Sequence, residues 1–355
     1  YYLLIENQNK HPDFVLNKKG LGLIHCFFGS IPEKYKWILN LANLKAGTKL
    51  GLAQMNEVLT DTSTELYKDE ILFLISFLHI YIIEDTNSCK NYLDKIGDEY
   101  SNNILLNFAA VSLSNKLKLN DYSITILENR PLNDKYTFHY MSYLLGMSKL
   151  YKLDYKESSK YLNNFISNYR GNNYIKSAYQ KLSWIAFLQG NQKKANMYHL
   201  DVIENGAIYT SVDKNANYEA IKNNFSHPQL LKARLLSDGG YYQKAFLELN
   251  LIQDPSLLEQ EDEIEYWYRL ARITHALNHS SIEIINYYNR AYDKGKITNT
   301  YFAPMSALQI GLIYESQNNF VQAKFFFDKC LEISGFVYEE GIHQKAKLAI
   351  ARINN

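Results

Sequence analysis

Cysteine, proline and arginine are all scarce in this chain, and each shortage excludes something. Cys26, Cys89 and Cys330 are the only cysteines in 355 residues, odd in number, widely spaced and without a CxxC. That rules out a dense disulfide framework and offers no zinc-ligand pattern. Six prolines and sixteen glycines are too few for a chain of many short strands and turns. No charge of one sign predominates, with 38 Lys and Arg against 37 Asp and Glu, so the basic excess of a nucleic-acid binder is missing. Nor is there a long apolar run. The longest, at 71–83, makes a helix of roughly 20 Å, short of a ~30 Å hydrocarbon core, and reads as a buried helix. The chain opens at Tyr1 rather than Met, so an upstream segment, with room for a targeting signal, is expected.

What is present is hydrophobic and periodic. Hydrophobic residues make up 46%, ample for a continuous core. Thirty tyrosines accompany a strong excess of lysine over the seven arginines, a pattern of AT-rich codon usage rather than of a binding surface. In the stretch 307–330, Gly311 and Tyr314 stand three apart, and Ala323 and Phe327 follow on a second helix. The small residues let two helices approach closely, and such a pair needs neighbours to bury its remaining face. Similar units register at Leu145-Gly146 with Tyr155, Ser158 and Leu162; at Leu182-Ser183 with Gly190 and Ala195; at Ala233 with Gly240, Tyr242 and Ala245; and at Ala271 with Tyr288 and Ala291. A last helix over 338–353 repeats the first-helix pattern through Ala351 and caps the array. The longer interval between Ser183 and Ala233 is filled by a short extra helix within 203–226. Ser30-x-x-Glu33 with Pro32, Ser226-x-x-Gln229 and Ser256-x-x-Glu259 read as helix-start capping boxes.

This order of small and aromatic residues over 140–353 resembles the tetratricopeptide-repeat superfamily, whose unit is a helix–turn–helix of about 34 residues. The resemblance implies an all-α, α–α superhelix: a divergent helical segment over 1–63, continuous with a solenoid over 64–355. The stretch from Gly20 through Ile31-Pro32 to Gly51-Leu52 is similar to the glycine-rich N-terminal module of eukaryotic inclusion-body-clearance proteins. The whole chain looks closest to uncharacterised bacterial tetratricopeptide proteins that often begin with an export signal. That likeness implies export, to the periplasm or the outer membrane, and carries no catalytic residue.

Motifs of enzyme chemistry fail on inspection. Gly20-Leu21-Gly22 begins like a dinucleotide loop, but His25 stands where the third glycine belongs, and close helix packing is the better reading. Gly47-Thr48-Lys49 inverts the phosphate-loop order. His275 and His279 have a metal-compatible spacing, with Glu283 as a third group, yet Asn278 and His279 fall at an expected turn, so no metal or other cofactor is expected. His25 and His79 read as core residues. The acidic run 259–265 opens a helix, where it complements the dipole.

One pattern invites a functional reading. Arg234, Arg272 and Arg352 each follow the matched alanine, at a position that faces the concave groove in the tetratricopeptide family. Trp184 takes the equivalent place, and Tyr143, Tyr151, Gln180, Phe187, Tyr268 and His275 lie one or more turns away. Arginine presents a planar fork to carboxylates and stacks on aromatic rings, so the row either orients an acidic segment or braces neighbouring repeats. The expected function is a non-enzymatic scaffold that binds a protein or peptide in its groove. A carrier of a lipid or other apolar molecule in an aromatic cavity is the alternative.

Overall fold

A computed structural model describes residues 1–31, 35–83, 85–132, 137–222 and 225–354. Among them all regular structure is helical, as the composition and spacing imply, and no helix is long and apolar enough to cross a membrane. Pro32 and Glu33, which complete the first expected capping box, lie outside the described residues; Ser30 closes the preceding helix, its Oγ donating to the Phe27 carbonyl. The chain forms two compact units. One takes residues 1–149 and 160–169, the other 150–159 and 170–355.

The first unit holds α1 (Tyr2–Lys10), α2 (Asn17–Gly29), α3 (Lys36–Leu41), α4 (Thr48–Thr60), α5 (Lys68–Leu78), α6 (Thr86–Ile96), α7 (Ile104–Lys116) and α8 (Asn120–Glu128). It also takes most of α9 (Tyr140–Tyr151) and α10 (Tyr155–Asn168). The apolar run at 71–83 is the buried α5, extended by a π turn over His79–Ile83. The glycines of the N-terminal stretch are a packing device. A Cβ on Gly22 would stand 2.8 Å from the Gly51 carbonyl, and one on Gly51 would stand 2.5 Å from Cys26 Sγ. Backbones of α2 and α4 therefore touch, which any side chain at either place would prevent. Met55 and Val58 share one core with Ile71, Leu106 and Ile126. Residues 1–63 are thus built into the same unit as the helices that follow, and the division of compact units falls near 150–170. His25 is buried with Nδ1 2.7 Å from Gln54 Oε1, and His79 is stacked on Tyr92.

The second unit runs α11 (Ile175–Leu188), α12 (Gln192–Glu204), α13 (Ser211–Lys222), α14 (Pro228–Asp238), α15 (Tyr242–Leu249), α16 (Gln260–Ala276), α17 (Ser281–Gly295), α18 (Phe302–Ser316), α19 (Phe320–Glu332) and α20 (Glu339–Ile353). Helices pair across short turns: α11 with α12, α14 with α15, α16 with α17, α18 with α19. Each turn places one residue in the left-handed region, namely Gly190, Gly240, Asn278 and Asn318, which reverses the chain sharply. Asn191, Ser280 and Asn319 then accept the first free amides of the second helices. First helices also neighbour first helices, α14 with α16, α16 with α18 and α18 with α20, so their inner faces form a continuous row.

Packing follows the small residues. Ala233, Ala245, Ala271, Ala291 and Ala323 are fully buried, and Gly311 lies against the ring of Phe327. At the last helix the register differs from the sequence reading. Ala346 and Ala349 are buried and Ala351 is exposed. Arg352 accordingly leaves the row and braces its neighbour, forking onto both oxygens of Glu315 at 2.6 and 2.7 Å. A terminal helix has a partner on one side only, so its buried stripe is narrower than that of a central helix.

The extra helix of the long interval is α13. Asp213, wholly buried on it, accepts from the Tyr174 amide at 2.7 Å, the Ser177 amide at 3.1 Å and Thr210 Oγ1 at 2.6 Å, which caps the start of α11 from outside the helix. The two remaining capping boxes are not formed. Helix α14 starts at Pro228, whose fixed φ and missing N–H suit a first position, and Ser226 Oγ donates instead to Glu265 Oε2 at 2.6 Å. Ser256 belongs to a single 3-10 turn held by Asp254, and Glu259 itself flanks α16.

Candidate functional site

The inner row of the second unit encloses a cavity of about 180 Å³. Its walls come from residues far apart in the chain. Trp184 of α11 and Arg234 of α14 stand beside Asn215, Tyr218, Glu219 and Lys222, one face of α13. Asp262, Glu265 and Arg269 of α16 occupy a second face at helical spacing. Tyr301, Phe302 and Tyr338, from the entries to α18 and α20, complete the ring.

The cations of the lining are each paired. The Arg234 guanidinium lies over the Trp184 ring at 4.8 Å and donates to Glu219 Oε1 at 3.4 Å. Glu219 also accepts from Gln180 Nε2 at 2.6 Å and Asn215 Nδ2 at 3.1 Å, so its carboxylate is held from three sides. Burial works against the charge of Arg234, but Glu219 outweighs it and holds the guanidinium more firmly protonated than usual. Arg269, 3% exposed, pairs with the buried Glu265. Burial alone would raise the pKa of Glu265, yet Arg269 and the Ser226 hydroxyl bring it below the ordinary range. Lys222 reaches Glu261 at 3.6 Å on the exposed rim.

Among the described residues, two carboxylates of the lining have no lysine or arginine beside them. Glu259 is exposed just before α16, and Asp262 accepts only the His227 amide at 3.3 Å. Burial shifts Asp262 upward, against the weaker opposing pull of that amide. Neutral donors are also free. The indole N–H of Trp184, a residue 7% exposed, and the hydroxyls of Tyr301 and Tyr338 have no hydrogen-bond partner among the described residues. Tyr338 sits in the left-handed region at φ 73°, costly for an aromatic residue. Its hydroxyl is pushed up to about 12, by burial first and then by Glu219 and Tyr301.

Lys181 lies behind the Trp184 ring, Nζ 3.8 Å from its centroid, and donates to Gln180 Oε1. Burial, with help from Arg234, brings this amine down to about 7.

Of the residues singled out by sequence, Arg234 and Trp184 line the cavity together. Phe187 backs it, stacked at 4.5 Å on Phe225, which does line it. Tyr268 is buried one layer behind, 5.1 Å from Phe302 and 5.9 Å from Tyr301, and the Arg272 guanidinium sits 5.7 Å from its ring. The Tyr268 side chain foremost, with Asp238, holds Arg272 charged against burial. Tyr143 belongs to the first unit's interior, where it faces α10 and packs on Phe165 at 5.4 Å. Tyr151 closes α9 against Gly239, which follows α14. His275 ends α16, and His279, beyond the Asn278 turn, has Nδ1 3.2 Å from Glu283 Oε2. Among the described residues no three His, Cys, Asp or Glu side chains converge as a metal-ligand set.

Glu219, Tyr301, Tyr338 and the inward side of the acidic run escaped sequence reasoning. The acidic residues do occupy the first turn of α16, as dipole complementarity implies, but Asp262, Glu265 and Arg269 also share one helical face. That spacing was the available signal. Compared with known proteins, the chain matches no family model and no curated protein.

Proposed function

We propose that this protein is a non-enzymatic, tetratricopeptide-like scaffold that binds an extended segment of a partner protein along its inner helix row. The observation that carries this reading is the cavity itself. Helices α11, α13, α14 and α16 and the entries to α18 and α20 build it, and its volume suits one side chain rather than a whole small molecule in a closed chamber. Eight of its lining residues are charged, which favours a peptide over the lipid or apolar cargo of the alternative reading.

The test is selection of binders from a random 12-residue peptide library on the intact chain, followed by titration against Tyr301→Ala. Tyr301 is half-buried and its ring packs on Tyr268, Phe302 and Tyr338, so its truncation lowers the melting temperature, and affinities are compared per folded molecule well below the transition. Selected peptides are expected to lose about tenfold or more in affinity. Peptides that bind both forms equally, or no enrichment at all, would overturn the proposal.

A further inference from the structure

We infer that the cavity receives a lysine or arginine side chain of the bound segment, seated between the aromatic wall and the carboxylates Glu259 and Asp262. This deepens the peptide-scaffold reading and rests on it. The electrostatic inventory decides the sign of the ligand. Five carboxylates line the cavity against three cations, and Arg234, Arg269 and Lys222 are each committed to Glu219, Glu265 and Glu261. An acidic ligand that took the guanidinium of Arg234 or Arg269 would have to break a half-buried or buried internal pair and leave Glu219 or Glu265 uncompensated, which is costly; only the exposed Lys222–Glu261 pair parts cheaply. A cationic ligand breaks none. It finds Glu259 and Asp262 without a lysine or arginine partner among the described residues and the rings of Tyr301 and Tyr338 in the same lining, the surroundings in which a guanidinium or ammonium is held by both charge and ring faces; the Tyr218 ring is already covered by Lys222 at 5.3 Å.

The unpaired donors identify the rest of the ligand as peptide. The indole N–H of Trp184, a residue 7% exposed, and the hydroxyls of Tyr301 and Tyr338 have no partner among the described residues and call for acceptors, which backbone carbonyls beside the cationic residue supply. Of the two parts that the register leaves open to the arginine row, Arg234 takes the bracing one. Arg234 braces the floor through Trp184 and Glu219, and α16 provides the recognition.

The test uses four pools of random 12-residue peptides that differ only in a fixed central residue: Lys, Arg, Glu or Leu. Each is titrated against the intact chain and against Glu259→Gln/Asp262→Asn. Asn at 262 keeps an acceptor for the His227 amide, and Glu259 makes no capping bond, so the variant should fold as the parent does by circular dichroism. The Lys and Arg pools are expected to bind about tenfold or more tighter than the Glu pool, and the variant should erase most of that preference. Added salt should weaken the Lys and Arg pools most. Equal or tighter binding of the Glu pool would overturn the inference while leaving the scaffold reading intact, as would a preference that survives in the variant. Binding by none of the four pools would refute both.

Discussion

Gly311 offers the sharpest test of the packing, because two known effects on it have opposite signs. Glycine inside a helix costs about 1 kcal/mol relative to alanine, so Gly311→Ala in an open helix would stabilise the protein. Here the added Cβ would lie 2.5 Å from Phe327 Cδ1 and 3.1 Å from Cζ. Carbon atoms rest at about 3.5–4.0 Å, so the ring must retreat by roughly 1 Å. Phe327 is fully buried on α19 and has nowhere to go. Overpacking of this kind costs ~1–3 kcal/mol, which exceeds or cancels the propensity gain and leaves a net loss of about 0–2 kcal/mol. The decisive comparison is made in a Phe327→Ala background. Removing the ring costs ~3–5 kcal/mol by itself, but it removes the clash, so the same Gly311→Ala change should then stabilise by about 1 kcal/mol. Urea unfolding of the four proteins, followed by far-UV circular dichroism and by emission of Trp184 and Trp267 in the same unit, gives the coupling directly. If Gly311→Ala raises stability in the parent, or the two changes add within ~0.5 kcal/mol, the α18–α19 contact is not the one described.

Two further outcomes follow from buried charge. Arg269→Met should cost ~3–5 kcal/mol, because Glu265 would keep only the Ser226 hydroxyl in a buried site, whereas Arg269→Met/Glu265→Leu should recover most of that loss; a single-variant cost below ~1 kcal/mol in urea would refute the pairing. Lys181 titrates at about 7 when folded, against the ordinary 10.5 of an unfolded chain, because burial and Arg234 disfavour its charge. Between those values the unfolded chain binds the extra proton, so this residue makes stability rise with pH from about 7 towards 10, and Lys181→Met should flatten the rise. Equal slopes of urea midpoint against pH for parent and variant would show that Lys181 is not the group responsible.

Much of the second unit was legible residue by residue. Gly190 and Gly240 marked turns because a left-handed residue reverses the chain most cheaply without a Cβ, and Ala233, Ala271 and Ala323 marked contacts because only small residues let helix backbones approach. The extra helix within 203–226 was legible as an excess of residues over the repeat. Its role was not, since Asp213 serves the amides of Tyr174 and Ser177, more than thirty residues away in sequence. The capping boxes at Ser226 and Ser256 misled for a related reason. A serine hydroxyl takes the nearest acceptor in space, which for Ser226 is Glu265 on another helix, and local spacing cannot reveal that competition.

By itself, then, the sequence determined what is local: the helices, the turns between them and the stripe of small residues through which each pair packs. Those are set by neighbours three or four positions apart on one helix, and their spacing is written in the chain. The tertiary structure alone decided which charges meet. Trp184, Glu219, Arg234, Asp262 and Tyr338 belong to five different helices or their entries, and they surround one cavity only because successive pairs stack at angles fixed by side-chain volumes along every interface between them. Those angles accumulate over the stack, so no single repeat carries the information that turns an arginine row into a braced floor and a dipole-complementing acidic run into a wall of the site.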